Sequence, residues 1–389
     1  MNLIDICELI VDCPHSTAND EGNGYPLIRT PNVGKGYLIL DGVHRVSKEV
    51  YDVRNARAIP QADDIILARE APAGNVALIK EGQKVCLGQR TVLIRPDKQK
   101  VNPSFLTYYL LSPAKQHDFK SAANGATVEH INMPKIRGLK ISLPPRHIQD
   151  SIATTLSRYD ALIANYHRQI KLLEEAAQRL YKEWFVDLHF PGHENVKVVD
   201  GVPEGWEKKS VSQIGTYLNG FAFKPSDWQD FGKPIIKIKE MGNGVTKDTP
   251  RNNGERVPSK YLVKAGDLLF SWSATLMVKI WSGEDGWLNQ HLFKVTPTQG
   301  IGREFLLQTI AKSIEEFSNL TTGSTMKHIQ RNKLDQVFVN VPNEAIMSEY
   351  IEVSEIIRKK ILNLSHQLTL LAESRDRLLP KLMSGEIEL

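Results

Sequence analysis

The chain has 389 residues, 41% hydrophobic and 24% charged, with a formal net charge of +4, which fits an ordinary globular protein of two domains or a little more. No run of 18 apolar residues occurs, which excludes a transmembrane helix, and the first residues lack the basic start of a signal peptide. The 3 cysteines, Cys7, Cys13 and Cys86, are too few for a disulfide scaffold and suit a reducing cytoplasm.

In chain order, YPLIRT (25–30), DIILAR (64–69), NVALI (75–79) and TVLIRP (91–96) predict short strands rich in β-branched residues. Asn102-Pro103 predicts a cap and a first helical position, opening a helix through 105–119 that bends at Pro113. A polar loop (121–130) follows, then a last strand that ends in Pro144-Pro145. Next comes an apolar stripe at Ile148, Ile152, Leu156, Tyr159, Ile163, Tyr166, Ile170, Leu173, Ala177, Leu180 and Trp184. Its spacing of three and four is the seam of a coiled-coil helix, about 55 Å long over Ile148–Trp184. The plan then recurs: strands at PIIKIK (234–239), DLLFSW (267–272) and HLFKVT (291–296), a helix over 303–318, a loop at 320–328 and a strand at 336–341. A second seam follows: Ile346, Tyr350, Ser354, Ile357, Ile361, Leu364, Leu368, Leu371, Arg375, Leu378 and Leu382.

The recurrence is a repeat. Gly125, His130 and Ile131 match Gly323, His328 and Ile329 at an offset of 198, while QADDIILA (61–68) faces KAGDLLFS (264–271) at 203 and LGQRTVLIRP (87–96) faces LNQHLFKVTP (288–297) at 201. Each half is a globule followed by a long helix. Two such halves joined head to tail can lay their helices antiparallel in an approximate two-fold arrangement. The alternative is that each helix packs on its own globule.

Charge is sorted by segment: net +3 over residues 1–145, −1 over 146–195, +4 over 196–342 and −2 over 343–389. Basic charge held in two of four pieces fits a polyanion partner, and a solvated surface explains it about as well. Catalytic signatures are missing. No phosphate-binding G-x-x-x-x-G-K-[ST] or strand-following G-x-G-x-x-G occurs, and Cys7, Cys13 and His15 lack the second ligand pair of a zinc site.

Polar binding chemistry recurs instead. Gln89 and Gln290 occupy matched positions and are followed by Arg90 and His291. Gln can bond adenine, and Arg guanine, in bidentate fashion. The two Gln residues fit a backbone-bonding role equally well, so the unmatched pair Arg90 and His291 makes the better base readers. Asn124, Thr127 and His130 sit in one polar loop, and Ser324, Thr325, Lys327 and His328 in its counterpart. The ends of the first strand pair and the residues that follow add Arg29, Thr30, Asn32 and Lys35, and Lys237, Lys239 and Asn243. Arg69 closes DIILAR, and Ser271 and Trp272 close DLLFSW. These residues are the candidate DNA contacts.

At this point the chain resembles a specificity subunit of a type I restriction-modification system. The likeness rests on IRTPNVGKG (28–36), the DIILAR and DLLFSW pair, LGQRTVLIRP with LNQHLFKVTP, and NGATVEHINMPKIRGLKISLPP (124–145) with GSTMKHIQRNKLDQVFVNVP (323–342). PEGWEKKSVSQIG (203–215) and RLYKEWFVD (179–187) complete it. The departures are a first half without a PEGW-type start, Asp63 for the glycine of the usual Gly-Asp pair, and SATLMV (273–278) for a glycine-containing turn.

The resemblance implies an α+β, pseudo-two-fold architecture. Two homologous mixed α/β target-recognition domains, 1–145 and 196–342, would be separated by an antiparallel two-helix coiled coil of spacers 146–195 and 343–389. It further implies that each domain reads one half of a bipartite site in double-stranded DNA. The helices would set the gap and dock two methyltransferase subunits, and motor-nuclease subunits would join for cleavage. S-adenosylmethionine, ATP and magnesium would belong to those partners, leaving no cofactor, metal or catalytic residue here. The rival readings are a coiled-coil scaffold without DNA specificity and a fragment of a single-chain restriction-methyltransferase.

Overall fold

A computed structural model describes residues 1–70, 73–123, 130–319, 329 and 331–389. The chain forms two compact units, Met1–Ile163 with Leu371–Leu389, and Ala164–Leu370.

In the first unit an antiparallel sheet runs in the order Cys7–Asp12, Thr91–Pro96, Ile65–Ala68, Val76–Leu78. Alternation along its strands divides the side chains between two cores. Ile65, Leu67, Val92 and Ile94 pack under Phe105 and Leu106, whereas Ile66, Ala68 and Leu93 meet Val33, Leu38 and Val85 on the other face. A small second sheet places Tyr25–Ile28 between Arg45–Val46 and Cys86–Leu87. Asn102 caps the following helix as the sequence predicts, its Oδ1 accepting from Phe105 N at 3.0 Å, with Pro103 at the first turn.

Two expectations need correction here. The bend at Pro113 is a full break: Pro103–Leu111 ends at Ser112, whose ψ of 149° is extended, and Pro113–Ala122 starts anew. Proline drives the residue before it out of the helical region. No regular strand forms over 139–145. Leu139 and Ile141 are buried, and their bonds to the N-terminal segment amount to an isolated antiparallel bridge, Asn2 with Lys140.

The second unit repeats the sheet in the same order: Gly215–Asn219, Leu292–Pro297, Leu268–Ser271, Met277–Ile280. The expected strand over 234–239 stops at Ile236, because Lys237 caps a short helix, Ile238–Asn243. The expected helix over 303–318 divides into Arg303–Lys312 and Ile314–Asn319. Two of the three departures noted in the sequence, Asp63 and SATLMV (273–278), keep the backbone conformation that glycine would supply. Asp63 has φ of 72° where Gly266 has 94°, and their amides donate to the carbonyls of Ile79 and Trp281 at 2.9 and 2.7 Å. Ala274, in the turn without glycine, likewise takes φ of 58°.

The long helices are Arg146–Phe185 and Glu344–Ser384, and Pro380 lies inside the second without ending it. In the first unit, Ile152 and Leu156 share a core with Leu378 and Leu382. Asp160 there accepts from Arg375 Nη1 at 2.8 Å and from the Tyr108 hydroxyl at 2.6 Å, which explains the polar residue in the second seam. In the second unit, Trp184 and Phe185 pack on Tyr350 with ring centroids 5.8 and 4.7 Å apart. Within each unit, therefore, the end of one helix lies beside the start of the other, as an antiparallel pair requires. The seam is not buried throughout: Tyr166, Ile170 and Leu173 are only half-buried. Among the described residues no helix is long and apolar enough to cross a membrane.

Candidate nucleic-acid interface

One end of the first unit's sheet gathers Asp12, Ala68 and Thr91, paired through Asp12–Val92 and Ala68–Thr91. A polar chain spans it. Arg69 Nη1 donates to Asp12 at 2.6 Å and its Nε to the Ile131 carbonyl at 3.1 Å. Arg69 Nη2 lies 2.7 Å from His130 Nε2, and His130 Nδ1 lies 2.5 Å from Glu70. A guanidinium only donates, so Nε2 accepts and Nδ1–H faces the carboxylate. Glu70 in turn holds Arg90 Nε at 2.9 Å. Arg69 is buried inside this chain, whereas the Arg90 side chain is 55% exposed. Arg90 also has φ of 66°, a left-handed conformation that costs an L-residue about 1–2 kcal/mol. Such strain collects at working sites.

Beside this end, Arg29 caps the turn Thr30–Asn32. Asn32 Oδ1 accepts from Arg29 N at 3.1 Å, and its amide donates to the Ile39 carbonyl at 3.2 Å. Thr30 and Asn32 are buried and Lys35 is exposed. Arg29 Nε is buried with no acceptor among the described residues. Gln89 Nε2 donates to the His15 carbonyl at 3.1 Å, the backbone-bonding alternative raised for it.

The second unit builds the same end with other chemistry. Asn219 stands opposite Phe293 as Asp12 stands opposite Val92. Trp272 replaces Arg69, its indole donating to Asn219 Oδ1 at 3.2 Å and its ring 5.9 Å from that of His291, which replaces Arg90. His291 Nδ1 is buried without a partner among the described residues, and Gln290 Nε2 is 3.4 Å from His291 Nε2. Ser271 is fully buried and donates to the Ser273 carbonyl at 3.1 Å. Lys237 matches Arg29: each caps a short helix, with the side chain three residues on, Glu240 or Asn32, accepting from the cap's amide. Lys239 and Asn243 are exposed.

The polar loops enter at equivalent places. Ile131 N donates to the Arg69 carbonyl at 3.2 Å and Ile329 N to the Trp272 carbonyl at 2.9 Å. Asn124, Thr127, Ser324, Thr325, Lys327 and His328 lie outside the described residues. Sequence reasoning missed Asp12, Glu70 and Asn219, whose partners lie far along the chain. The signal available was their place at strand ends: Asp12 and Asn219 close Cys7–Asp12 and Gly215–Asn219, and Glu70 lies two positions past Ile65–Ala68. Burial pushes the Cys7 thiol up to about 12 and that of Cys86 to about 11, so the fold does not hold either as a thiolate.

The type I restriction modification DNA specificity domain family matches residues 1–175 and 203–366. The chain belongs to this family. It is 24% identical over 368 residues to the type I restriction enzyme MjaIX specificity subunit of Methanocaldococcus jannaschii, covering 90% of this chain and 83% of that one. It is 25% identical over 438 residues to the HindI specificity subunit of Haemophilus influenzae, covering 94% and 95%. The solved S subunit of a type I restriction-modification system from M. genitalium shares the fold, with a TM-score of 0.58 at 15% identity over 98% of this chain and 95% of that one.

Proposed function

We propose that this chain is the non-catalytic, DNA-reading subunit of a cytoplasmic type I restriction-modification complex, each sheet end reading one half of a bipartite site in double-stranded DNA. One observation carries the reading: a single backbone frame is built twice and fitted with different side chains. Asp12, Arg69, Glu70 and Arg90 in the first unit become Asn219, Trp272, Ser273 and His291 in the second. A frame used twice with different chemistry suits two readers of different sequences. Family membership and the named relatives support it.

Within that reading the candidate residues divide by what they already hold. Arg69, Ser271, Thr30, Asn32 and Gln89 bond the protein and set the frame. His130, with both ring nitrogens engaged by Arg69 and Glu70, joins that frame; Arg90, Gln290 and His291 face the bases, and Lys35, Lys237, Lys239 and Asn243 meet phosphates. The helical spacers dock two methyltransferase subunits, which motor-nuclease subunits join. S-adenosylmethionine, ATP and magnesium serve those partners.

The test is to express the chain with its partners and map methylated adenines. The expected result is a two-part motif, of which replacing residues 1–145 by a relative's first domain changes one half only. Motifs in which both halves change together overturn independent readout.

A further inference from the structure

The second unit carries two exposed aromatic rings that the fold does not require. Trp228 is 49% exposed and Phe231 is 62% exposed, both in the loop before the strand Lys233–Ile236. This loop is held firmly. Gln229 and Arg251 exchange backbone bonds of 2.9 and 3.2 Å, Asn252 Nδ2 donates to the Asp227 carbonyl at 2.7 Å, and Arg251 Nη1 donates to the Gly232 carbonyl at 2.9 Å. Gly232, at φ of 90°, lies so near the neighbouring strand that a Cβ would sit 2.3 Å from the Asn252 carbonyl oxygen. Two large rings are thus presented to solvent on a rigid support.

The first unit shows what the fold itself needs. Gly24, at φ of 93°, makes the same approach to the Val46 carbonyl oxygen, also at 2.3 Å. Counting back from this matched pair, Asp20 stands in the place of Trp228 and Asn23 in that of Phe231. Asp20 accepts from Arg45 N and Gly22 N at 2.9 and 3.0 Å, a purely local task. The charge differs as well: residues 224–239 carry net +2, from Lys224, Lys233, Lys237 and Lys239 against Asp227 and Asp230, while the counterpart 16–31 carries net −1. Lys237 Nζ lies 5.1 Å from the centre of the Trp228 ring. The Ile236 carbonyl, directly before Lys237, accepts from Asn289 N at 3.1 Å, so this lysine borders the end of the sheet where Gln290 and His291 lie.

We propose that Trp228 and Phe231, with Lys237, form an aromatic and basic arm by which the second unit alone grips duplex DNA. The lysine meets a phosphate, and the rings pack on the deoxyribose faces beside it. Aromatic rings set among lysines match the two surfaces that a duplex backbone offers, apolar sugar faces and anionic phosphates. The arm supplies affinity at the second half-site rather than base identity, and it rests on the function proposed above.

The experiment uses the full chain co-purified with its methyltransferase subunits and duplexes bearing the mapped site, with binding measured at several salt concentrations. Trp228→Ala with Phe231→Ala should weaken binding roughly tenfold, through lost burial of apolar area, while leaving the salt dependence unchanged. Trp228→Phe should retain most of the affinity, and Lys237→Ala should lower the salt slope by about 1. The mapped motif should stay the same in all of them. A parent complex that reads its site beside a double variant within twofold of it overturns the arm alone. A parent with no sequence preference overturns the functional reading and the arm with it. Loss of methyltransferase co-purification in the double variant would put a protein, not DNA, on these rings and overturn the proposal.

Discussion

Arg90 shows how a single side chain is prepared for a task. Its backbone is held left-handed and its Nε is tied to Glu70, yet the side chain remains more than half exposed. Arg90→Ala should cost about 1–3 kcal/mol in binding the site and relax one position of one half-site, read as affinities for single-base variants. A loss equal across all sequences would make Arg90 a backbone contact. The cysteines give a prediction in pH. Burial raises Cys86 and Cys7 above the ordinary 9.0, to about 11 and about 12, so folding favours the protonated thiols. Their contribution to stability is fully present below pH 9 and is lost as the pH rises through 11 and 12. Denaturant midpoints should fall between pH 9 and 11, and Cys86→Ala should flatten that fall. A slope unchanged in the variant would assign it to other groups.

The long helices are anchored where their polar exceptions lie. Arg358 directs Nε and Nη2 to one Glu304 oxygen at 2.9 and 2.7 Å, and both side chains are nearly inaccessible. Removing one partner strands a buried charge, so Arg358→Met should cost about 3–5 kcal/mol in urea unfolding. Adding Glu304→Leu should recover much of that loss; no recovery would mean that packing, not charge, was removed. Outside the seam, Tyr181 and Phe185 are buried against Phe305 in the second unit's own core and leave no surface for a partner. Leu172 is 53% exposed and is the better place for a partner to dock. Leu172→Asp should abolish methyltransferase co-purification with no change in melting temperature. Retained co-purification would move the docking surface elsewhere.

At the scale of the whole molecule, both long helices pass from one unit to the other, near Ile163 and near Leu370. If they act as a ruler, inserting four residues after each of these positions lengthens the pair by about 6 Å and turns it by roughly 40° beyond one full turn. DNA rises about 3.4 Å per base pair and turns by about 34–36°. The unspecified gap should grow by one base pair, with both half-site sequences kept. Sequencing the methylated sites checks this, and an active variant with an unchanged gap would show that the helices do not set the spacing.

The duplication, the inner strands of both four-stranded sheets and the two seams are legible in the sequence, because each is written in periodicity or in matched residues at a near-constant offset, whereas the edge strands Cys7–Asp12, Gly215–Asn219 and Met277–Ile280 are not. Asn102-Pro103 foretold a helix start, since a cap is a local bargain between neighbours in sequence. Local pattern failed where tertiary contacts take over. The strand expected after Pro234 turns into a helix at Lys237, and the segment at 139–145 finds too few backbone partners to become a strand. The division of polar residues between frame and reader was equally hidden. Gln89 bonds a carbonyl 74 positions away, and Arg69 joins Asp12 and His130 from 57 and 61 positions away. The sequence by itself determined which residues recur. Only the folded chain decided which of them are spent holding the protein together, because a hydrogen bond depends on distance in space and sequence records only distance along the chain.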